Sequence, residues 1–295
     1  MQKITPFLWF DNQAEEAMNF YTSLFKNSEI GSVARYGEAG PGPGGSIVTA
    51  TFKLAGLEVT ALNGGPHFKF TPATSFFVLC ETEDEIDTLW ANLSEGGQAL
   101  MELAAYPFSE KFGWIEDKFG LSWQLNLVGQ PQKIMPFLLF VGDQAGKAEE
   151  AMNFYTSLFD NASIIRLERH GPGSNEIEGS VIHAVFSLFG QEFMAMDSAG
   201  AHAFSFTEAV SFMVHCQSQA EVDELWAQLS ADKEAEQCGW LKDKYGVSWQ
   251  IIPDILLELM GDPDSEKAKR VTEAMLQMKK IDIAALQQAY GGDTQ

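Results

Sequence analysis

Short apolar runs, broken by glycine, asparagine and aspartate, set the rhythm of this chain. Ile4 to Phe10 is rich in aromatics and predicts a strand, which Asp11-Asn12 ends. Residues 14–25 change to helical spacing, with Ala17, Phe20, Tyr21 and Leu24 on one face. Glu29 to Tyr36, Ser46 to Leu54 and Leu57 to Leu62 predict strands, the last two joined by a tight turn at Ala55-Gly56. That is one βαβββ unit. The same order follows again. Ser75 to Cys80 predicts a strand, and Thr82 with Glu85 three residues on forms a capping box for a helix. Ile86, Leu89, Trp90 and Leu93 mark its buried stripe. A short strand is expected at Ala99 to Leu103. Trp114 to Asp117 and Leu121 to Leu127 predict a hairpin across Lys118-Phe119-Gly120.

The whole pattern then repeats. The string AEEAMNFYTSLF at Ala14–Phe25 recurs at Ala148–Phe159, so the chain is a tandem duplication. Ile4-Thr5-Pro6-Phe7 pairs with Ile134-Met135-Pro136-Phe137, Ser75-Phe76 with Ser211-Phe212, and Gly113–Gln124 with Gly239–Gln250. Copy two gains residues before its first helix and near Gly200. It loses about ten between Leu229 and Gly239, which removes most of the strand equivalent to Ala99–Leu103. Residues shared by both copies report what the unit needs to fold. Residues in one copy alone mark where function has room to diverge. The expected domains are residues 1–130, 131–253 and a C-terminal helical extension of the second, 254–295. In that extension Ile255 to Met260, Ser265 to Lys279 and Ile283 to Tyr290 predict short helices, suited to covering a sheet edge or a seam between domains.

Composition narrows the field. Each half carries a large excess of Asp and Glu over Lys and Arg, and the net charge is −22. Neither half offers the basic face that phosphate backbones require, so nucleic acid and anionic membranes are not expected partners. No apolar run is long enough to span a bilayer, and Met1–Pro6 shows no signal-peptide pattern. Cys80, Cys216 and Cys238 are too few and scattered for a disulfide framework and fit free thiols in a reducing cytoplasm.

The phrases ITPFLWF, AEEAMNFYTSLF, FGWIEDKFGLSWQL and CGWLKDKYGVSWQI resemble the PhnB-like branch of the vicinal oxygen chelate superfamily. That superfamily includes glyoxalase I, extradiol dioxygenases and bleomycin-resistance proteins, and the branch also carries the name 3-demethylubiquinone-9 3-methyltransferase domain. The resemblance implies an α+β fold of tandem glyoxalase-like domains, each of two βαβββ units forming a U-shaped, partly open barrel sheet.

Metal-dependent members hold a divalent ion in the hollow of that sheet, through His, Gln or Glu on the first and fifth strands and Glu near the ends of the fourth and eighth. Carried over strand by strand, the first position falls on Thr5 and Met135, the fifth on Ser75 and Ser211, and the eighth on Gln124 and Gln250. The fourth lies within Val59 to Asn63, with Asn63 mirrored by Asp197. Hydroxyls and a thioether are poor ligands for such ions. The reading is a degenerate metal site and no cofactor. The same register points Phe7 and Trp9 into the hollow of copy one, and Phe137, Leu139, Met213 and His215 into that of copy two. Such a lining suits a small apolar or aromatic ligand, or simply a filled core. Gln124 and Gln250 either serve a ligand or close a hydrogen-bond network within the sheet. His183 and His215 are the histidines that stand a chance of meeting inside a sheet. Asp117 and Asp243 sit beside a turn and are expected to bind their own backbone.

Three functions remain open at this stage. They are a metal-free small-molecule binder, a metal-dependent lyase, isomerase or dioxygenase, and a covalent pseudo-dimer in which fusion secures the pairing of repeats. Monomer and homodimer are both compatible with the sequence. Methyl transfer has no support, because Gly40-Pro41-Gly42-Pro43-Gly44-Gly45 is interrupted by prolines and leads into a strand.

Overall fold

A computed structural model describes residues 2–35 and 44–292. Tyr36 and most of the glycine-proline loop, Gly40 to Pro43, lie outside the described residues.

The first repeat runs β1 (Ile4–Phe10), α1 (Ala14–Leu24), β2 (Glu29–Arg35), β3 (Ile47–Leu54), β4 (Leu57–Asn63), β5 (Thr74–Cys80), α2 (Glu83–Ser94), β6 (Gln98–Tyr106), β7 (Ser109–Glu116) and β8 (Ser122–Leu127). The second runs β9 (Lys133–Phe140), α3 (Ala148–Leu158), β10 (Ser163–Arg169), β11 (Val181–Leu188), β12 (Gln191–Asp197), β13 (Val210–Cys216), α4 (Gln219–Leu229), β14 (Trp240–Lys242) and β15 (Ser248–Pro253). Helices α5 (Asp254–Met260), α6 (Ser265–Leu276) and α7 (Ile283–Gly291) close the chain.

Local chemistry explains the repeated elements. The β3–β4 turn puts Ala55 at φ 49° and Gly56 at φ 84°, and Phe189 and Gly190 do the same in copy two. Positive φ at both central residues is what a two-residue hairpin needs to match strand twist. Thr82 caps α2 by accepting from the backbone N–H of Glu85, as the capping box predicts, and Ser218 caps α4 in the same way by accepting from Glu221. The buried stripe of α1 is Ala14, Ala17, Met18 and Tyr21. It is rotated from the expected one, so Phe20 and Leu24 are only half-buried. Trp90 is likewise half-buried and packs over Gly113, where a Cβ would lie 2.4 Å from its ring.

The chain divides into two compact units, Pro6–Val210 and Met1–Thr5 with Ser211–Gln295. The larger contains an open eight-stranded sheet in the order β10-β11-β12-β9-β5-β8-β7-β6. Its centre is an antiparallel ladder of β5 on β9, with Ser75 opposite Phe137 and Phe77 opposite Met135. The sheet therefore joins the second βαβββ unit of copy one to the first of copy two. The expected partly open sheet is present, but its membership is corrected: it takes four strands from each copy instead of all its strands from one. The reason is the short segment 128–132, which turns the chain straight from β8 back along the free edge of β5. The same unit holds the ladder of β1 on β4, parallel with Phe7 opposite Thr60, followed by β3 and β2.

The smaller unit contains β14, β15 and β13 in that order, with β13 parallel to β15. The backbone N–H of His215 donates to the carbonyl of Lys3 at 3.0 Å, so the start of β1 lies beside β13. Copy two retains only three residues of β14 at the edge where copy one builds the long β6–β7 hairpin. The C-terminal extension fills the gap. Cys238 and Gly239 donate backbone N–H groups to the carbonyls of Met278 and Lys279, at 2.8 and 2.7 Å. The tail thus covers a sheet edge that would otherwise present unpaired backbone.

Candidate functional site

In the eight-stranded sheet, alternation brings one face of every strand onto a cavity of about 470 Å³. Phe77 of β5 and Phe137 and Leu139 of β9 form its floor, and Gln124 and Asn126 of β8 flank them. One arm is aromatic and thioether: Met101 of β6, Phe112 and Trp114 of β7, and Phe108 at the hairpin tip between those strands. Phe108 is 66% exposed, stacks on Tyr106 at 5.5 Å and meets Phe112 edge-on at 5.2 Å. The other arm is polar: Arg166 and Glu168 of β10, His183 of β11, and Ser198 and His202 just after β12.

Hydrogen bonds fix much of this lining. Gln124 Nε2 donates to Ser75 Oγ at 2.9 Å, so the network reading of this pair holds for its amide donor. Gln124 nonetheless lines the cavity. Trp114 Nε1 donates to Ser122 Oγ at 2.8 Å, and Ser109 Oγ to Asn126 Oδ1 at 2.5 Å. Arg166 holds Glu168 through Nε at 2.8 Å and through Nη2. His202 Nε2 lies 3.0 Å from Ser198 Oγ. His183 faces Glu168 across the β10–β11 ladder. Burial lowers the His183 pKa from 6.5, the nearby Arg166 charge lowers it further, and Glu168 opposes both.

The positions where a metal would sit do not fit one. In this sheet they carry Met135, Ser75 and Gln124, a thioether, a hydroxyl and an amide. The carboxylate at the end of β12 is used elsewhere: Asp197 accepts from the backbone of Ala148 at 3.0 Å and Val181 at 2.8 Å, capping α3. Asn63 caps α1 in the same way, accepting from Ala14 at 2.9 Å. No group of three or more His, Cys, Asp or Glu is placed to hold a metal ion among the described residues.

The other expected site residues fall elsewhere. Thr5, Ser211, Met213, His215 and Gln250 all belong to the smaller unit. There Gln250 Nε2 donates to Ser211 Oγ at 3.0 Å. Thr5 Oγ1 lies 3.2 Å from His215 Nε2, and Asp254 Oδ1 3.2 Å from its Nδ1. Grouping Thr5 with Ser75 and Gln124, and Met135 with Ser211 and Gln250, is therefore corrected. Met135 and Phe137 join Ser75 and Gln124, because β9 pairs with β5. His183 belongs to the larger unit and His215 to the smaller. Phe7 and Trp9 lie on β1, outside the eight-stranded sheet. Trp9 donates from Nε1 to the carbonyl of Gly65 at 2.8 Å and covers Gly64.

Arg166, Glu168, Ser198, His202 and the Phe108 hairpin were not singled out from the sequence. The signal was present in the copy differences: Ser32, Ala34 and Thr49 stand in copy one where Arg166, Glu168 and His183 stand in copy two.

Asp117 and Asp243 are structural, as expected. Asp117 accepts from the backbone of Phe119 and Leu121 at 2.9 and 3.0 Å, and from Trp123 Nε1 and the Tyr21 hydroxyl at 2.9 and 2.6 Å. Asp243 repeats the contacts to Tyr245, Val247 and Trp249.

Both repeats match the model of the 3-demethylubiquinone-9 3-methyltransferase family, over residues 2–126 and 132–252. The chain belongs to this family. Among solved structures, the PhnB protein of Bacillus cereus is 56% identical, over 43% of this chain and 100% of that chain, with a TM-score of 0.42. A protein from Staphylococcus aureus is 38% identical, over 43% of this chain and 97% of that one, with a TM-score of 0.19. Glyoxalase I from Zea mays matches 88% of this chain and 95% of its own, at 10% identity and a TM-score of 0.56. That last likeness shows the fold alone, an α+β arrangement shared with glyoxalase I. No curated protein matches. No helix of the described residues is long and apolar enough to cross a membrane.

Proposed function

We propose that this chain binds a small, largely apolar molecule in the hollow of its eight-stranded sheet without a metal ion. The observation that carries the reading is the cavity itself. Its volume of about 470 Å³ falls within the usual range for small-molecule sites, and its aromatic and aliphatic lining carries a few convergent polar groups. A core filled by its own side chains would leave no such space. Metal-dependent chemistry is the weaker reading, because the donors at the expected positions are a thioether, a hydroxyl and an amide. Methyl transfer rests on the family name alone.

Fluorescence titration with the neutral dye N-phenyl-1-naphthylamine tests the reading. The wild type is expected to bind it with an emission increase, and Met196→Arg, which places a charged stem in the hollow, is expected to remove one dye site. Phe112→Ala is expected to weaken that same site. Dye binding that ignores both substitutions sinks the proposal. A supporting role for the duplication follows from the β5–β9 ladder, which makes one polypeptide supply both arms of the hollow.

A further inference from the structure

The two features that most distinguish the copies meet in this one cavity. The β6–β7 hairpin, with Phe108 at its tip, exists only in copy one, since copy two has lost the strand. The ionisable trio Arg166, Glu168 and His183 exists only in copy two, where copy one has Ser32, Ala34 and Thr49. Scaffold residues are shared by both repeats, and these are not. The β5–β9 ladder places them on opposite arms of the same curved sheet, one aromatic and one rich in N–H donors.

Resting on the binding role above, we propose that the ligand is a planar aromatic acid, its ring against Phe108, Phe112 and Trp114 and its carboxylate at Arg166 and His183. The aromatic arm offers ring faces and edges, and Met101 and Met196 add thioethers, surfaces that favour a flat π-system. On the polar arm, donors outnumber acceptors. The one carboxylate, Glu168, is already held by Arg166 through Nε and Nη2. A guanidinium has five N–H donors, so Arg166 keeps others for a second carboxylate, and its planar fork suits that group. Both Arg166 bonds go to Glu168 Oε1, so an incoming ammonium would have only Oε2 to meet and would sit beside the Arg166 charge, which repels it. The Arg166 side chain is 62% exposed, so the charged end of the ligand stays at the mouth and keeps part of its hydration. That lowers the cost of bringing an anion to a chain of net charge −22.

Isothermal titration with three matched probes tests this: 2-naphthoate, 2-naphthamide and 2-naphthylmethylamine. The acid is expected to bind about tenfold or more tightly than the amide, the worth of a charge-assisted hydrogen bond. Arg166→Gln is expected to erase that advantage, lowering acid affinity far more than amide affinity. Phe108→Ala, at an exposed position, is expected to weaken acid and amide alike. Equal affinities for acid and amide, tightest binding of the amine, an acid preference that survives Arg166→Gln, or no binding of any probe would each overturn the assignment. The dye titration keeps the two readings apart. Dye binding that responds to Met196→Arg, with no preference for the acid, removes the acid assignment and leaves the binding role standing.

Discussion

Asp117 gives the most demanding test of how this chain holds together. Asp117 is 4% exposed, and its carboxylate accepts four hydrogen bonds. Two come from the turn between β7 and β8, and two from Tyr21 and Trp123, side chains with no exposure at all. Burial raises the Asp117 pKa, while the hydrogen bonds from Tyr21 and Trp123 pull it down. Asp117→Ala strands the hydroxyl and the indole N–H away from water. Each orphaned buried donor costs about 1–3 kcal/mol, and the freed turn N–H groups add to this, so a loss of about 3–5 kcal/mol is expected. Asp117→Asn keeps Oδ1 for the turn but points an amide N–H at the Trp123 N–H. Tyr21 can rotate to accept, and Trp123 cannot, so about 1–3 kcal/mol is expected. Tyr21→Phe removes one bond to a charged group and leaves no new donor, for about 1–2 kcal/mol. Because the chain has two compact units, a single melting curve would blur the effect. Hydrogen exchange with peptide-level mass spectrometry resolves it, with Asp243–Trp249 of copy two as the internal reference. Protection of Asp117–Trp123 should fall sharply while the copy-two segment holds. A fall below about 1 kcal/mol for Asp117→Ala would refute the view that this carboxylate anchors the turn to helix α1.

Three further outcomes are expected. The folded chain holds His183 below its ordinary pKa of 6.5, so below that pH the unfolded chain takes up a proton that the folded chain resists. This group's contribution is present above pH 6.5 and is lost as pH falls through the folded pKa. His183→Gln should therefore flatten the drop in urea midpoint between pH 7 and pH 5, and an unchanged slope would contradict the assignment. Gly239→Ala should cost about 2–4 kcal/mol in thermal unfolding, because its φ is +86° and a Cβ would lie 2.6 Å from Ile252. Gly120→Ala, with φ +85° and open space around it, should cost only about 1–2 kcal/mol. Burial pushes the Cys80 and Cys216 thiols up to about 12, so a thiol titration at pH 8 should find at most Cys238 in the native protein and all three in denaturant.

Much of the fold was legible because duplication writes the pattern twice. The repeat at Ala14 and Ala148, the turns at Ala55-Gly56 and Phe189-Gly190 and the capping box at Thr82 all depend on neighbours a few residues apart. The site was less legible. Alternation correctly put Ser75 and Gln124 on one face, but it cannot say which distant strand lies beside β5. Both β1 and β9 carry the same Pro-Phe-Leu phrase, and a five-residue segment after β8 decides between them. Asp197 shows another limit. A carboxylate at the end of a fourth strand reads equally as a ligand or a helix cap, and only the position of the Ala148 N–H separates them. The β6–β7 pair is longer than the expected Ala99–Leu103 and Trp114–Asp117, because its strands run on to Tyr106 and Ser109 through three register shifts.

The β5–β9 ladder also changes what counts as a unit of inheritance. Cutting the gene between residues 127 and 133 would separate the two sequence repeats cleanly, yet each product would carry only half of the eight-stranded sheet. Neither fragment alone would possess the hollow, and co-expression would be needed to restore it. A substitution in copy one and a substitution in copy two can therefore be alleles of the same site, and selection on ligand binding would couple β6–β8 to β10–β12 more tightly than it couples either to its own mirror image.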